Sequence, residues 1–177
     1  VQDGEASRAD TFCSAMGGAV RVQGEDCRRL PDAVNLPFVI GYDGKAGDTG
    51  ELVAGVRKLK EEYGFAAETI EAIGDIVRSG ERALENGDIE EIGRLMDFNH
   101  GLLSALGVSA RSLDSMVWAA REAGSPGAKL TGAGGGGCIV ALDRSEQTRT
   151  ALEYTPGCET AFRAELDTDG VRTEAER

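Results

Sequence analysis

The apolar positions change period twice along the chain. Between Gly17 and Asn35, Gly-Gly-Ala-Val-Arg-Val-Gln alternates apolar and polar residues after a glycine pair. With Gly24-Glu25-Asp26 supplying a turn, this predicts short β elements. Pro37-Phe-Val-Ile-Gly-Tyr-Asp is an apolar run of the kind buried in a sheet, and Pro31 and Pro37 bracket a polar connector that marks a lobe boundary. From Asp48 the period becomes helical. Asp48 with Glu51 predicts an N-cap, after which Leu52, Val56, Leu59 and Tyr63 share one face up to Gly64. Ile70, Ile73, Val77 and Leu84 form a second stripe that stops at Asn86-Gly87. Asp88 with Glu91 opens a third, carrying Ile92, Met96, Leu103 and Leu106 to Gly107. Ser112 is placed to cap a fourth, with Leu113, Met116, Val117 and Ala120 on one face before Gly124. Met96, Met116 and Trp118 belong to these stripes and are expected in or near the core rather than at a ligand.

After Pro126 the strand signals return. Ala128-Lys-Leu-Thr leads into a glycine run, Cys138-Ile-Val-Ala-Leu is continuously apolar, and residues 145–152 suit a short helix. Residues 161–166, the turn Asp167-Thr-Asp-Gly170 and Val171-Arg-Thr predict a hairpin. Strands on both sides of a helical block make an α+β architecture.

The length of 177 residues suits about one domain, and 41% hydrophobic residues suffice for a core. No uncharged apolar run approaches the roughly 18 residues that span a bilayer, and no membrane partner is expected. With 31 acidic against 19 basic residues the net charge is −12, which repels phosphate backbones and excludes nucleic-acid binding by a basic field. The four cysteines (Cys13, Cys27, Cys138, Cys158) form no CxxC pair and His100 is the single histidine, so an ordinary zinc site lacks ligands. A reduced, cytoplasmic chain is the expectation. His100 is expected to make an interhelical hydrogen bond, and Cys138 to pack in its strand. The chain opens on Val-Gln-Asp-Gly rather than Met, and is expected to be a piece of a longer one.

Gly132-Ala-Gly134-Gly-Gly-Gly137 is the strongest local signal. Each unneeded glycine costs roughly 0.5–1 kcal/mol relative to Ala once ordered, so the run requires a reason. A flexible linker would be flanked by polar residues, whereas both flanks here are apolar and strand-like. The spacing Gly132, Gly134, Gly137 satisfies GxGxxG, but a dinucleotide fingerprint needs a following helix, and Ile139-Val-Ala-Leu continues as strand. What remains is a tight turn between two strands whose bare backbone approaches a ligand or another loop, and whose amides can face an anion.

Lys129-Leu-Thr-Gly-Ala-Gly-Gly-Gly-Gly-Cys138 resembles the third motif of the GHMP small-molecule kinases, in the form seen in mevalonate kinases. Asp97-Phe-Asn-His-Gly-Leu-Leu-Ser-Ala-Leu-Gly-Val-Ser109, then Ser112-Leu-Asp, is similar to the helices that precede that motif. Asp48-Thr-Gly-Glu-Leu-Val-Ala-Gly-Val-Arg57 resembles the segment around the family's threonine near the substrate. Ser7-Arg-Ala-Asp10, followed by Met16-Gly-Gly-Ala-Val-Arg21, resembles its Ser-x-x-Asp segment.

The resemblance implies a GHMP kinase C-terminal ferredoxin-like domain, helices packed on an antiparallel sheet, over residues 35–177. Residues 1–34 would be the end of the N-terminal lobe. It implies ATP- and Mg²⁺-dependent phosphorylation of the mevalonate 5-hydroxyl in isoprenoid biosynthesis. Asp10 matches the base that accepts the hydroxyl proton. Ser7 and Thr49 match residues near substrate and phosphate, and Gly132, Ala133, Gly134, Gly135 and Gly136 match the loop that closes over the phosphates. No metal ligand is expected in this chain, the partner is the small-molecule substrate, and a homodimer is left open. The family's substrate-binding lysine, its Pro-x-x-x-Gly-Leu-Gly-Ser-Ser ATP loop and its magnesium-binding glutamate have no counterpart in these residues. The chain is therefore expected to be the C-terminal part of such a kinase, without turnover of its own. Another GHMP kinase (phosphomevalonate, galactose or homoserine kinase) and a non-catalytic module derived from one are the alternatives.

Of the 19 basic residues only Lys45, Lys58, Lys60 and Lys129 are lysine, and with a pI near 4.6 this composition suits a protein adapted to high salt. Resistance to urea should rise as KCl is raised from about 0.1 M to about 1 M, where the screening length falls from about 10 Å to about 3 Å. A midpoint indifferent to KCl would reject salt adaptation.

Overall fold

The computed structural model describes residues 9–30 and 36–172, so Ser7 and the connector that follows Leu30 lie outside the described residues. The chain forms two compact units: Pro37–Ala164, and the flanking segments Val1–Leu36 and Glu165–Arg177. None of the helices among the described residues is long and apolar enough to cross a membrane.

In the flanking unit, α1 (Ala9–Met16) is followed by a two-stranded antiparallel hairpin, β1 (Val20–Gln23) and β2 (Asp26–Arg29), in the register Val20 to Arg29. Gly24 turns it at φ +61° with no neighbour near its absent side chain. The segment after Ala164 is not the hairpin expected from residues 161–173. Asp167 takes the Asp169 amide on its own side chain and the Gly18 amide on its carbonyl, and Val171 donates to Ala15. Gly17 and Gly170, both at positive φ, press their backbones together where a Cβ on either would overlap the other. Residues 165–172 thus pack with the flanking unit, unlike the single domain expected over 35–177.

The unit Pro37–Ala164 is built on one antiparallel sheet in the order β4-β5-β3-β6, from β3 (Phe38–Tyr42), β4 (Ala128–Leu130), β5 (Cys138–Leu142) and β6 (Thr160–Ala164). β3 lies between β5 and β6, pairing Val39 with Ala141 on one side and with Arg163 on the other. With α5 (Arg111–Glu122) before β4 and α6 (Glu146–Glu153) before β6, this is the split βαβ order of a ferredoxin-like fold. The first crossover also carries α2 (Thr49–Glu62), α3 (Gly64–Asn86) and α4 (Ile89–Ala105). The caps follow the sequence: Asp48 and Asp88 each accept the amide three residues on, and Gly87 ends α3 in the left-handed region.

The core lies between one sheet face and α5 with α6. Val39, Leu130, Ile139 and Ala141 meet Leu113, Met116 and Val117 of α5 and Leu152 of α6, all fully buried or nearly so. Each such large side chain contributes about 1.5–3 kcal/mol of burial. Trp118 departs from the expectation of a core position. It lies 61% exposed, 5.5 Å from the Arg121 guanidinium, because its neighbours in the sequence, Met116 and Val117, take the buried face of α5.

β4 is a sheet edge, and α4 covers it. The outward amides of Ala128 and Leu130 donate to Asp97 Oδ1 (3.0 Å) and His100 Nδ1 (3.3 Å), three residues apart on one helix face. Arg121 donates to Asp97 and to the Ala128 carbonyl, and Lys129 Nζ to the Leu130 carbonyl. Burial pushes the Lys129 ammonium below its usual range. Gly93 lets α4 come this close, since a Cβ there would overlap the Pro126 carbonyl. His100 therefore bonds a strand as well as a helix: its Nε2 lies 3.2 Å from Asp114 Oδ1 on α5, a partner 14 residues away that spacing did not indicate.

With Nδ1 accepting, the neutral tautomer carries its proton on Nε2 and donates it to Asp114. Burial pushes the His100 pKa below its ordinary 6.5; Asp114 opposes, and the charges of Arg121 and Lys129 add to the depression. A proton on Nδ1 would cancel the Leu130 bond. The folded state thus prefers neutral His100, and the stability this confers is present above pH 6.5 and lost as pH falls below it. His100→Gln should cost about 1–3 kcal/mol in urea unfolding at pH 7.5. The gap to the parent should narrow towards pH 5, and a pH-independent gap would refute the assignment.

Candidate functional site

The glycine run joins β4 to β5, as the flanking strand patterns require; Thr131 N–H closes onto the Cys138 carbonyl at 3.0 Å. Gly132, Gly134, Gly135, Gly136 and Gly137 all adopt positive φ, with Ala133 between them. Close approaches account for most of the run. A Cβ on Gly134 would overlap the Val108 carbonyl oxygen, and one on Gly47 would overlap the Gly134 carbonyl. On Gly135 it would lie 2.9 Å from Leu52 Cδ1, and on Gly136 3.1 Å from Lys45 Cβ. The loop is thus seated between the α4–α5 turn and the β3–α2 connection. Of the two occupants expected beside the bare backbone, other loops are what the fold supplies.

Val108 and Asp43 anchor the loop by hydrogen bonds. Gly135 N–H donates to the Val108 carbonyl (2.8 Å), and Gly137 N–H donates to Asp43 Oδ1 (2.8 Å). The amides of Gly132, Ala133, Gly134 and Gly136 meet no protein acceptor among the described residues. Asp43 also accepts the Lys45 amide on Oδ1 (3.0 Å) and the Ser112 hydroxyl on Oδ2 (2.6 Å). Burial raises its pKa, but the bonds from Ser112, Gly137 and Lys45 outweigh this and hold the carboxyl below its usual range. Ser112 is consequently not the cap it was expected to be. α5 starts two residues earlier than a Ser112 cap would set it, with Ala110 as its N-cap and no capping side chain, and Ser112 turns its hydroxyl to the buried charge. Burial first, and then Asp43, raise the Cys138 pKa, which keeps it a protonated thiol.

Beside the loop, Asp48 caps α2 and Thr49 is that helix's first residue, exposed. An open cleft of 440 Å³ runs between Asp48, Glu51, Leu52, Leu106 and Gly135, and an apolar hollow of 320 Å³ between Leu52, Ile70, Leu103, Gly132 and Ala133. Of the residues expected at the site, Thr49 and residues 132–136 belong to the unit Pro37–Ala164, where the loop approaches Gly47 and Leu52 on either side of Thr49 in the chain. Asp10, exposed in the first turn of α1, belongs to the other unit. No three His, Cys, Asp or Glu side chains converge as a metal site among the described residues. The pairing of Asp43 with Ser112 and Gly137 escaped the sequence reading, since 94 residues separate Asp43 from Gly137 and 69 separate it from Ser112. The one local sign is an Asp-Gly pair that ends an apolar strand.

Residues 81–154 match a family model described as GHMP kinases C terminal. The mevalonate kinase of Thermococcus gammatolerans is 41% identical over 97% of this chain and 53% of that protein; that of Pyrococcus furiosus is 42% identical over the same shares. Among solved structures, that of L. major mevalonate kinase in complex with R-mevalonate has a TM-score of 0.81 at 29% identity, covering 96% of this chain and 55% of that one. Cytophaga hutchinsonii homoserine kinase, with a TM-score of 0.71 at 21% identity over 94% and 54%, shows the shared fold alone. The chain spans about half the length of the curated relatives it matches.

Gly134→Ala sets a methyl against the Val108 carbonyl at a φ of +91°, where L residues are strained. It should lower stability by about 1–3 kcal/mol in urea unfolding, as overpacking does. Gly132→Ala, with nothing within 4 Å, should cost only the strain of its backbone, about 1 kcal/mol. Equal costs would show that the loop is not seated on Val108.

Proposed function

From the premise that residues 81–154 are a GHMP kinase C-terminal domain, we propose that the chain is part of an ATP-dependent kinase that phosphorylates the 5-hydroxyl of mevalonate in the cytoplasm. The observation that carries this reading is the glycine loop held in shape by Val108 and Asp43, with the amides of Gly132, Ala133, Gly134 and Gly136 left without protein acceptors. Successive backbone amides in a turn, left without protein acceptors, can form a concavity that binds an anion. Its acceptors would be phosphate oxygens, whose charge grows in the transition state. The loop packs against Gly47, two residues before Thr49, which supports a role for the Thr49 hydroxyl near substrate and phosphate.

In this reading Asp10, with Ser7 in the same segment, serves the acceptor alcohol. The Asp10 carboxylate takes the 5-hydroxyl proton as that oxygen bonds to the γ-phosphorus of ATP, and the bond to the ADP oxygen breaks. Mg²⁺, when bound, would neutralise phosphate charge.

The chain, together with whatever coding sequence precedes it, should phosphorylate mevalonate with ATP, with phosphomevalonate, galactose and homoserine run beside it as acceptors. Asp10→Asn should lower kcat by about 10²- to 10⁴-fold at little changed KM, the range of general-base catalysis. Near-parental turnover by the mutant would remove Asp10 from this role, and preference for another acceptor would reassign the substrate.

A further inference from the structure

We propose that Asp43 is the positioning residue that sets the working shape of the Gly132–Gly137 loop; its part in turnover rests on the phosphoryl-transfer reading above. Asp43 is 7% exposed, and both its oxygens are taken by donors from three separate segments. Gly137 of the loop and Lys45 of the β3–α2 connection share Oδ1, while Ser112 of α5 holds Oδ2. Backbone and side chain act together, because Asp43 N–H also donates to the Gly137 carbonyl at 3.0 Å. With both oxygens engaged and the side chain nearly buried, the carboxylate acts through the loop.

Five positive-φ glycines carry little conformational preference of their own, so their shape is imposed by what they are bound to. Among the described residues two neighbours hold it by hydrogen bonds, the Val108 carbonyl on Gly135 and Asp43, through side chain and backbone, on Gly137. The carboxylate is the charged one, and hydrogen bonds to a buried charge are the stronger kind. It lies directly beneath the turn: a Cβ on Gly136 would stand 3.5 Å from Asp43 Oδ2. The same clasp that uses up the Gly137 amide leaves the Gly136 amide free for an anion. The loop's receptor geometry therefore depends on a side chain that grips it from beneath.

The test compares Asp43→Ala, Asp43→Asn and Ser112→Ala with the parent by amide hydrogen exchange in ¹⁵N spectra of this chain, with β5 and α5 amides reporting that the fold survives. Asp43→Ala should speed exchange at Gly137 by about tenfold or more, the worth of one hydrogen bond to a charge. Asp43→Asn keeps the Oδ1 acceptor and should restore most of the protection. Ser112→Ala, which removes one donor in three, should give a smaller increase and stands in should Asp43→Ala not fold. Parental exchange at Gly137 in Asp43→Ala, or in Ser112→Ala if that variant stands in, would overturn the proposal. In the chain with its preceding coding sequence, Asp43→Ala should lower kcat about tenfold or more with KM for mevalonate within about twofold. A loosened loop with parental kcat would also overturn it. A parent that phosphorylates no mevalonate would instead overturn the functional reading, and the exchange result alone would then decide whether Asp43 holds the loop.

Discussion

A carboxylate out of reach of water must find its donors inside the protein, and in the unit Pro37–Ala164 the Asp43 side chain finds them on three lengths of chain that are far apart in sequence. Leaving such a charge unpaired costs several kcal/mol, so the donors are held as firmly by the carboxylate as it is by them. The end of β3, the first turn of α5 and the end of the glycine loop are thereby fixed together. Depression of the Asp43 pKa despite burial is the electrostatic record of that pairing. The glycines answer the same constraint in steric terms, since backbone can seat against Val108, Gly47 and Leu52 only where no Cβ intervenes.

The sheet edge shows the same economy with other side chains. An open β4 would offer its amides to any passing strand. Asp97 and His100 of α4 occupy two of them and Arg121 and Lys129 bond the matching carbonyls, so these polar side chains serve to close an edge. This is why His100 holds a neutral ring, and why the Asp97-to-Ser109 stretch carries polar residues on a helix that also contributes Ile92 and Leu95 to the buried interior. A helix that satisfies backbone groups and covers apolar surface at once has little freedom to drift. The α4–α5 turn that follows it presents the Val108 carbonyl to the loop.

These two arrangements place the loop's free amides beside the start of α2, on a rigid scaffold rather than a mobile tether. A phosphate-binding loop needs that rigidity, because amides aimed in advance at developing charge need no reorganisation during the reaction.

Helix stripes, the aspartate caps at Asp48 and Asp88, the Gly87 stop and the strand runs were legible in the sequence, because each is decided within a few residues by hydrogen bonds and periodicity local to it. The glycine run was legible as a strand-to-strand turn for the same reason. Local pattern failed where a distant partner outbid a local one. Ser112 left the cap for Asp43, Trp118 yielded the buried face to Met116 and Val117, and Gly170 met Gly17 instead of closing a hairpin. The sequence alone thus determined which segments are helix, strand and bare turn. Only the tertiary structure decided what the turn rests on and which carboxylate holds it, because a buried charge takes its donors from whatever the fold brings within about 3 Å, at any separation along the chain.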